Sequence, residues 1–135
     1  MAKNFVQLKG VQKTYDGETL VVRDLNLDVQ EGEFLTMLGP SGSGKTTTLM
    51  MLAGFETATH GEIFMDGNPI NRLAPEDRNI GMVFQSYALF PHMSVAENVA
   101  FPLTVRGVPK AKLGERVIKA LAMVGLKGFE DRRPA

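Results

Sequence analysis

Apolar and polar residues alternate in two segments near the start of the chain. One segment runs from Phe5 to Val11 and the other from Val21 to Val29. A period of two residues is typical of strands that bury one face. Between them, Thr14 to Glu18 contains an Asp-Gly pair, which is a strong turn signal. The sequence therefore predicts two antiparallel strands in a β layer with one solvated face.

Two further apolar runs are nearly continuous instead of alternating. They extend from Phe34 to Leu38 and from Ile80 to Phe84. Such runs are typical of strands that are covered on both faces in a parallel sheet. We therefore expect both to form buried core strands of an α/β fold. A shorter strand is expected from Glu62 to Met65, and the turn residues Asp66 to Pro69 end it.

Helical signals follow these runs. The first helix is expected from Lys45 to Gly54, because glycine often follows the last turn of a helix. A later helix is expected over Lys110 to Val124, where apolar residues recur at helical spacing after Pro109. The pattern predicts that Gly125 ends it.

A capping box predicts one more helix between these two. Ser94 is followed three residues later by Glu97, so each side chain can satisfy a backbone N–H group at the start of a helix. Pro102 lies inside this helix, and because proline lacks a backbone N–H we expect it to bend or break the helix.

Composition limits the classes of protein that fit. The 135 residues include no cysteine, which excludes disulfides and thiolate metal sites. The formal net charge is +0 at pH 7, so bulk electrostatics favours neither nucleic acid nor an anionic membrane surface. No apolar stretch approaches the ~20 residues that span a bilayer, and no signal-peptide core follows Met1. We therefore expect a cytoplasmic protein with no transmembrane segment.

The strongest chemical motif lies just before the first predicted helix. Gly39 to Thr46 fits G-x-x-x-x-G-K-[ST], a phosphate loop between a strand and a helix. Its glycines let successive N–H groups point at a phosphate, and the start of the helix adds its own N–H groups. Lys45 can reach the β- and γ-phosphates, and the Thr46 hydroxyl can ligate Mg²⁺. The candidate phosphate-binding residues are Gly39, Pro40, Ser41, Gly42, Ser43, Gly44, Lys45, Thr46 and Thr47.

Three residues are candidates for chemistry beyond the phosphate loop. Gln85 ends the second continuous run, where its amide could orient a water or ligate Mg²⁺, or could simply begin a surface loop. Tyr15 could stack on a nucleotide base or pack over its turn. Asp66 follows an apolar strand as a metal-holding carboxylate should, but Gly67 comes directly after it, which is typical of an ordinary hairpin aspartate.

Together these motifs resemble the ATPase subunits of ATP-binding-cassette (ABC) transporters. Gly39 to Thr47 looks like the phosphate loop of that family. Val83 to Gln85, followed by Ala88 to Val99, resembles its Q-loop region. Tyr15 stands where the family keeps an aromatic residue that stacks on adenine, and by resemblance Val21 flanks the base. The motifs occur in the family's order and cover nearly the whole chain.

The resemblance implies an import function. Gly61 to Gly67 and Arg78 to Gln85 are similar to importer subunits for polyamines, iron(III) and oligosaccharides, and polyamines such as spermidine and putrescine are the leading interpretation. It implies that ATP and Mg²⁺ are the cofactors. It also implies that Lys45 and Gln85 are catalytic residues and that Thr46 and Gln85 are metal ligands.

The resemblance further implies an assembly. Two ATPase subunits would sandwich two ATP molecules beneath membrane-spanning permeases, as a peripheral homodimer on the cytoplasmic face of the inner membrane. Roughly Ser86 to Ala100 would receive a helix of the permease. No nucleic acid partner is expected.

The sequence also departs from the family. In the family a Leu-Ser-Gly-Gly-Gln signature, a strand ending in Asp-Glu and a switch histidine follow, and no Ser-Gly-Gly occurs here. The expectation is the N-terminal part of one ABC ATP-binding domain of the P-loop NTPase fold, either a truncated gene product or a fragment. Residues 1–90 would form the antiparallel β layer and the phosphate-loop core with parallel strands, and residues 91–135 the start of a helical subdomain. Such a chain should bind ATP and hydrolyse it poorly alone.

Two other functions fit part of the pattern. One is a non-transport ABC ATPase, although the segment from Gln85 to Val99 is suited to a permease helix and argues against it. The other is a catalytically inactive nucleotide-binding remnant, which the missing signature favours. The Asn-Lys-x-Asp motif with which GTPases read their base does not occur.

Overall fold

The two alternating segments form a long antiparallel hairpin. In the computed structural model, which describes residues 3–40 and 42–134, β1 covers Asn4–Thr14 and β2 covers Leu20–Gln30. Leu8 of β1 lies opposite Leu27 of β2, so apolar side chains share one face of the pair. The predicted hairpin and its turn are confirmed.

Two shorter strands complete the sheet. β3 (His60–Met65) pairs with β1, and β4 (Asn68–Pro69) pairs with β3, which gives the order β2-β1-β3-β4. All strand pairs within the described residues are antiparallel. The turn between β3 and β4 contains Asp66 and Gly67, as the sequence predicted.

The first helix covers the apolar face of this sheet. α1 (Lys45–Ala53) begins and ends where expected, and Gly54 follows it in the left-handed conformation with φ of 94°. Met51 of α1 belongs to one apolar cluster with residues from three strands and from the segment after β4. The buried members of this cluster are Leu8, Val11, Val22, Met51, Ile63 and Ile70.

The chain forms two compact units, Met1–Met82 and Val83–Ala135. The first holds the sheet, α1 and a short 3₁₀ turn at Pro75–Asp77. The second holds α2 (Val95–Val105) and α3 (Lys110–Met123), which contact each other. Within the described part of the chain, none of the helices has the length and apolar character needed to cross a membrane.

The predicted capping box is present at the start of α2. The Glu97 N–H donates to the Ser94 hydroxyl at 3.1 Å, and the Ser94 N–H donates to the Glu97 carboxylate at 2.9 Å. Pro102, by contrast, does not break the helix, which continues to Val105. One missing N–H removes one bond, and the ladder resumes when the Arg106 N–H donates to the Pro102 carbonyl at 3.1 Å.

The two continuous apolar runs are not strands, which corrects the prediction of parallel core strands. Within the described residues, neither Phe34 to Leu38 nor Ile80 to Phe84 is part of the sheet. The Phe34 and Leu38 side chains are 94% and 93% exposed. Apolar composition favours burial, but a strand also needs a neighbouring strand for its backbone hydrogen bonds, and no such strand pairing is present at either run within the described residues.

Candidate functional site

The phosphate loop leads into an α-helix whose first N–H groups carry no side-chain cap. Gly44 precedes α1 in the left-handed conformation, with φ of 89° and ψ of 8°. Among the described residues, Gly44 supplies no side-chain cap to these N–H groups. Unsatisfied N–H groups and the positive end of the helix dipole favour an anion at this place. Of the predicted phosphate-binding residues, Ser41 lies outside the described part of the chain.

Gly44 also has to be small because β2 passes directly beside it. A Cβ atom there would lie 2.9 Å from the Val21 carbonyl oxygen and 3.1 Å from Cγ2 of Val22. These separations are too short for a side chain, and the positive φ already favours glycine. The loop therefore rests on the strand that carries Val21, one of the residues that the family resemblance assigned to the nucleotide.

Lys45 folds back over the loop. Its ammonium group donates a hydrogen bond to the Gly39 carbonyl, which closes the loop from its first residue to the start of α1. A backbone turn supports the same curvature, because the Ser43 N–H donates to the Pro40 carbonyl at 3.2 Å. The arrangement places the Lys45 cation beside backbone donors, as a phosphate site requires.

The threonines after Lys45 divide into exposed and buried positions. Thr46 is exposed in the first turn of α1, and Thr47 is half-buried. Thr48 is buried, and its hydroxyl and its N–H both donate to the Gly44 carbonyl, at 2.7 and 2.9 Å. Thr48 thus fixes the residue on which the loop turns. Sequence reasoning missed it, although its spacing of four from Gly44 was a usable signal.

A cavity of about 510 Å³ lies beside the loop. Val21, the loop residues and Lys45 all line this cavity. Tyr15 is not among the residues that line it. The lining residues are Leu20, Val21, Val22, Arg23, Asp24, Leu25, Met37, Leu38, Gly42, Ser43, Gly44, Lys45 and Thr48.

Tyr15 lies in the turn between β1 and β2 and is 61% exposed. The Lys13 ammonium lies 4.9 Å from the centroid of its ring. The turn itself is organised by Asp16, whose carboxylate accepts from the N–H groups of Thr19 and Glu18, both at 2.8 Å. These bonds lower the pKa of Asp16. The ring is therefore presented on an ordered turn, with much of its surface accessible.

Gln85 belongs to the second unit and is exposed in a turn. The Tyr87 N–H closes this turn by donating to the Phe84 carbonyl at 2.9 Å. Gln85 therefore does not stand at the end of a buried strand, which corrects that part of the prediction. Its proposed contact with water or Mg²⁺ stays a prediction.

Asn98 of α2 holds the loop that precedes the helix. Its side-chain oxygen accepts from the Phe90 N–H at 2.9 Å, and its amide donates to the carbonyls of Phe90 and Ser94 at 3.1 and 3.0 Å. Tyr87 and Leu89 are exposed ahead of this loop. The segment expected to meet a permease thus combines a fixed loop with exposed apolar side chains.

Asp66 is engaged in an ion pair. Its carboxylate contacts the Lys3 ammonium, and this hydrogen bond and the carboxylate charge raise the pKa of Lys3. Asp66 itself has a positive φ of 52° in the β3–β4 turn, as a hairpin aspartate does. Across residues 3–40 and 42–134, no group of three or more His, Cys, Asp or Glu side chains could hold a metal ion.

Residues 22–135 match the family model described as ABC transporter. The chain therefore belongs to the ABC transporter family.

Two similar curated relatives are import ATP-binding proteins. The chain is 50% identical over 132 residues to the spermidine/putrescine import ATP-binding protein PotA of Clostridium novyi (strain NT), covering 98% of this chain and 38% of that protein. It is 52% identical over 130 residues to the Fe(3+) ions import ATP-binding protein FbpC of Escherichia coli (strain K12), covering 96% and 37%. The chain thus spans less than two fifths of the length of these relatives.

Solved structures show the same fold. The chain matches the dimeric structure of a post-hydrolysis state of the ATP-binding cassette MJ0796, bound to ADP and Pi, with a TM-score of 0.84 and 34% identity. The match covers 96% of this chain and 61% of that one. The sheet, α1 and the two later helices are thus a partial P-loop ABC domain.

Proposed function

We propose that this chain is the nucleotide-binding part of the ATP-hydrolysing subunit of an ABC importer. The observation that carries the proposal is the start of α1, where Gly44 leaves the first N–H groups without a side-chain cap and Lys45 lies over the loop. The family membership of the chain supports ATP as the nucleotide. The chain would correspond to the N-terminal part of one ATP-binding domain, with residues 1–90 forming the β layer and phosphate-loop core and residues 91–135 beginning a helical subdomain.

The loop binds the triphosphate in this proposal. Backbone N–H groups of the residues from Gly39 to Thr47, except Pro40, surround the β- and γ-phosphates. Lys45 exchanges its bond with the Gly39 carbonyl for a charge-assisted bond to a phosphate oxygen. Val21 borders the same cavity and in this proposal flanks the base. Tyr15 stacks on adenine, because an aromatic face accepts a base without needing a specific hydrogen bond.

The donor set suits Mg²⁺ that is bound mainly through the nucleotide. Mg²⁺ keeps several waters and commonly takes one or two protein ligands together with phosphate oxygens. The exposed hydroxyl of Thr46, one residue after Lys45, fits as one such ligand. Gln85 is the second candidate ligand and the candidate for positioning the attacking water.

The proposed setting is the cytoplasmic face of the inner membrane. Ser86 to Ala100 would dock a helix of the permease, supported by the loop that Asn98 fixes and by the exposed Tyr87 and Leu89 side chains. A second copy of the subunit would complete a homodimer, as in the dimeric cassette that the chain resembles. Co-purification with permease subunits would separate this function from a non-transport ABC ATPase.

The transported solute is proposed to be a polyamine. Relatives at about the same identity are described as importing either spermidine and putrescine or Fe(3+) ions, so the comparison favours a small cation in general. Polyamines remain the leading candidate. Turnover by this chain alone is expected to be slow or absent, so ATP binding and hydrolysis have to be measured separately.

The phosphate site is tested by Lys45→Ala. Removing one charged hydrogen bond to phosphate should weaken ATP and tripolyphosphate binding by about 10- to 100-fold. Isothermal calorimetry with Mg²⁺ and each ligand measures both affinities, and phosphate release from ATP measures turnover in the same samples.

Lys110→Ala is the matched control, because Lys110 is the first residue of α3 as Lys45 is of α1. Its affinity for both ligands should equal that of the unmodified chain. ATP binding that survives Lys45→Ala unchanged would show that the nucleotide lies elsewhere.

A further inference from the structure

Lys13 of β1 is a lysine whose side chain is held by several contacts. It belongs to β1, and its side chain is only 12% exposed. Its ammonium donates to the Thr57 carbonyl at 2.6 Å and lies 3.5 Å from the Glu56 carboxylate. Lysine loses considerable rotamer entropy when it is held in this way, so an ordered lysine indicates contacts that offset the loss.

The third contact of the same ammonium is the ring of Tyr15. Nζ lies 4.9 Å from the ring centroid, within the range in which a cation is attracted by the negative face of an aromatic ring. One face of Tyr15 is therefore covered by a fixed cation. The residue is still 61% exposed, so surface remains for another planar group.

The backbone beside Tyr15 is held by the same neighbouring segment. The Thr14 N–H donates to the Thr59 hydroxyl at 3.0 Å, and that hydroxyl is 3.4 Å from the Thr14 carbonyl, to which it donates. The Thr59 N–H in turn donates to the Gln12 carbonyl at 2.8 Å. Residues 56–59 thus hold both the backbone that leads to Tyr15 and the lysine that lies over its ring.

Residues 56–59 are themselves tied to the phosphate-loop helix. The N–H groups of Gly54, Phe55 and Glu56 all donate to the Met50 carbonyl of α1, at 3.0, 2.9 and 3.2 Å. α1 therefore carries the phosphate loop at its N-terminus and the anchor of Tyr15 just beyond its C-terminus.

We propose that Lys13 is a positioning residue for nucleotide binding, which holds one face of Tyr15 so that the rest of the ring is presented to the adenine base. This inference rests on the proposed function, because it assumes that Tyr15 stacks on the base. A cation on one face also withdraws electron density from the ring, which favours stacking of an electron-rich purine on the other. Lys13 would thereby favour ATP over ligands that lack a base.

The test compares ATP with tripolyphosphate, which carries the phosphates but no base. Lys13→Met keeps the aliphatic stem and removes the cation. It should weaken ATP binding by about three- to tenfold and leave tripolyphosphate binding unchanged. Lys13→Arg, which restores a cation over the ring, should recover most of the ATP affinity.

Lys9→Met is the matched control. Lys9 lies on the same strand, and its ammonium is 5.2 Å from the centroid of Phe64, a ring with no proposed contact to nucleotide. The substitution removes an equivalent lysine and an equivalent cation–π contact. It should leave both affinities unchanged.

A double-mutant cycle with Tyr15→Ala separates positioning from simple support of the fold. Tyr15→Ala should weaken ATP binding by about tenfold and leave tripolyphosphate binding unchanged, because stacking acts only on the base. If Lys13 acts through Tyr15, Lys13→Met should cause no further loss in the Tyr15→Ala background. Glu56→Gln removes the carboxylate beside Lys13 but keeps the lysine charge, so it should cause a smaller loss of affinity, for ATP alone. It serves as the second variant if Lys13→Met does not fold.

Tyrosine fluorescence supplies an independent readout. The chain has two tyrosines and no tryptophan, so in a Tyr87→Phe background the emission reports Tyr15 alone. ATP should quench this emission and tripolyphosphate should not. The quenching at saturation should fall in Lys13→Met, because a mobile ring stacks less completely.

The outcomes distinguish base stacking by Tyr15 from the positioning of Tyr15 by Lys13. If Tyr15→Ala weakens ATP alone and Lys13→Met has no effect, base stacking stands and the role of Lys13 is refuted. Lys13→Met could instead weaken the binding of ATP and tripolyphosphate equally, or still weaken ATP binding in the Tyr15→Ala background. Either result would mean that Lys13 only supports the fold. If Tyr15→Ala does not change the affinity for ATP relative to that for tripolyphosphate, both the stacking in the proposed function and the inference about Lys13 are wrong.

Discussion

The carboxylate of Asp16 orders the turn that carries Tyr15. It accepts from the N–H groups of Thr19 and Glu18 and from the Thr14 hydroxyl, at 2.8, 2.8 and 3.0 Å. The Thr19 bond contributes most to lowering the pKa of Asp16 below its ordinary value of 3.8, followed by the Glu18 and Thr14 bonds. A carboxylate with several donors is stabilised in its charged form. The order of the turn should therefore depend on pH.

The direction of that dependence follows from the lowered pKa. Since the folded-state pKa lies below the unfolded one, the stabilisation is complete above pH 3.8 and is lost as the pH falls through the folded-state value. Tyr15 emission in the Tyr87→Phe background should change over this acidic range. Asp16→Asn, which cannot titrate, should flatten that change, while Asp28→Asn on β2 should not. An unchanged acid transition in Asp16→Asn would contradict this account.

The role of a residue could be predicted from the sequence when its partners are close to it along the chain. Gly44 and Lys45 could be predicted because the motif that defines them is contiguous, and Glu97 because its partner Ser94 is three residues away. Lys13 could not be, because its contact with Thr57 joins positions 44 residues apart. Such contacts depend on how the sheet pairs, which no local pattern encodes.

At the scale of the element, α1 ends in a cage of carbonyl groups around one buried arginine. Arg78 is 5% exposed, and Nη1 donates to the carbonyls of Met51 and Leu52 at 2.8 and 3.2 Å. Nε and Nη2 reach the carbonyls of Leu73 and Asn71 at 3.0 and 3.4 Å. Burial lowers the pKa of Arg78. A cation at the negative end of a helix stabilises the last carbonyls, which have no partner within the helix.

Gly54 leaves room for that guanidinium. A Cβ at Gly54 would lie 2.8 Å from Nε of Arg78, and its φ of 94° also favours glycine. The residue that the sequence predicted as a simple helix end thus has a second role, which is to admit the Arg78 side chain beside the last turn.

Replacing Arg78 should weaken the fold through this contact. Arg78→Met leaves one buried and three partly buried carbonyls without the guanidinium donor and should lower the free energy of unfolding by about 2–4 kcal/mol. Arg78→Lys, with fewer donors, should lower it by less. Urea unfolding followed by circular dichroism measures both. Arg72→Met, an exposed arginine of the same segment, is the matched control. Equal unfolding midpoints for Arg78→Met and Arg72→Met would contradict the role of the cage.

The elements that sequence reasoning placed well are those with local signals. α1, α2 and α3 follow from periodicity and caps, and the β1–β2 hairpin from alternation around an Asp-Gly turn. The runs at Phe34 and Ile80 were predicted as strands from composition alone. Composition describes what a segment would bury, whereas a strand exists only when another strand pairs with it.

At the scale of the whole molecule, the chain combines an exposed apolar surface with a net charge of +0 at pH 7. Phe34 and Leu38 are almost fully exposed, and an apolar cavity of about 660 Å³ lies next to them between the sheet and α1. Leu35 and Met37 of the same run line that cavity. With a net charge of +0 at pH 7, little long-range repulsion opposes contact between copies. Exposed apolar patches of this kind favour self-association.

We therefore expect the chain to self-associate through this surface at neutral pH. Phe34→Lys removes a large apolar side chain from it and should lower the association constant by about tenfold, as measured by sedimentation velocity over a range of concentrations. Met123→Lys is the control, because Met123 is an exposed apolar residue at the end of α3 and its replacement adds the same charge. If both variants reduce association equally, the added charge accounts for the effect and the surface around Phe34 does not. If only Phe34→Lys does so, the residues predicted to be a buried core strand are the ones through which copies of the chain meet.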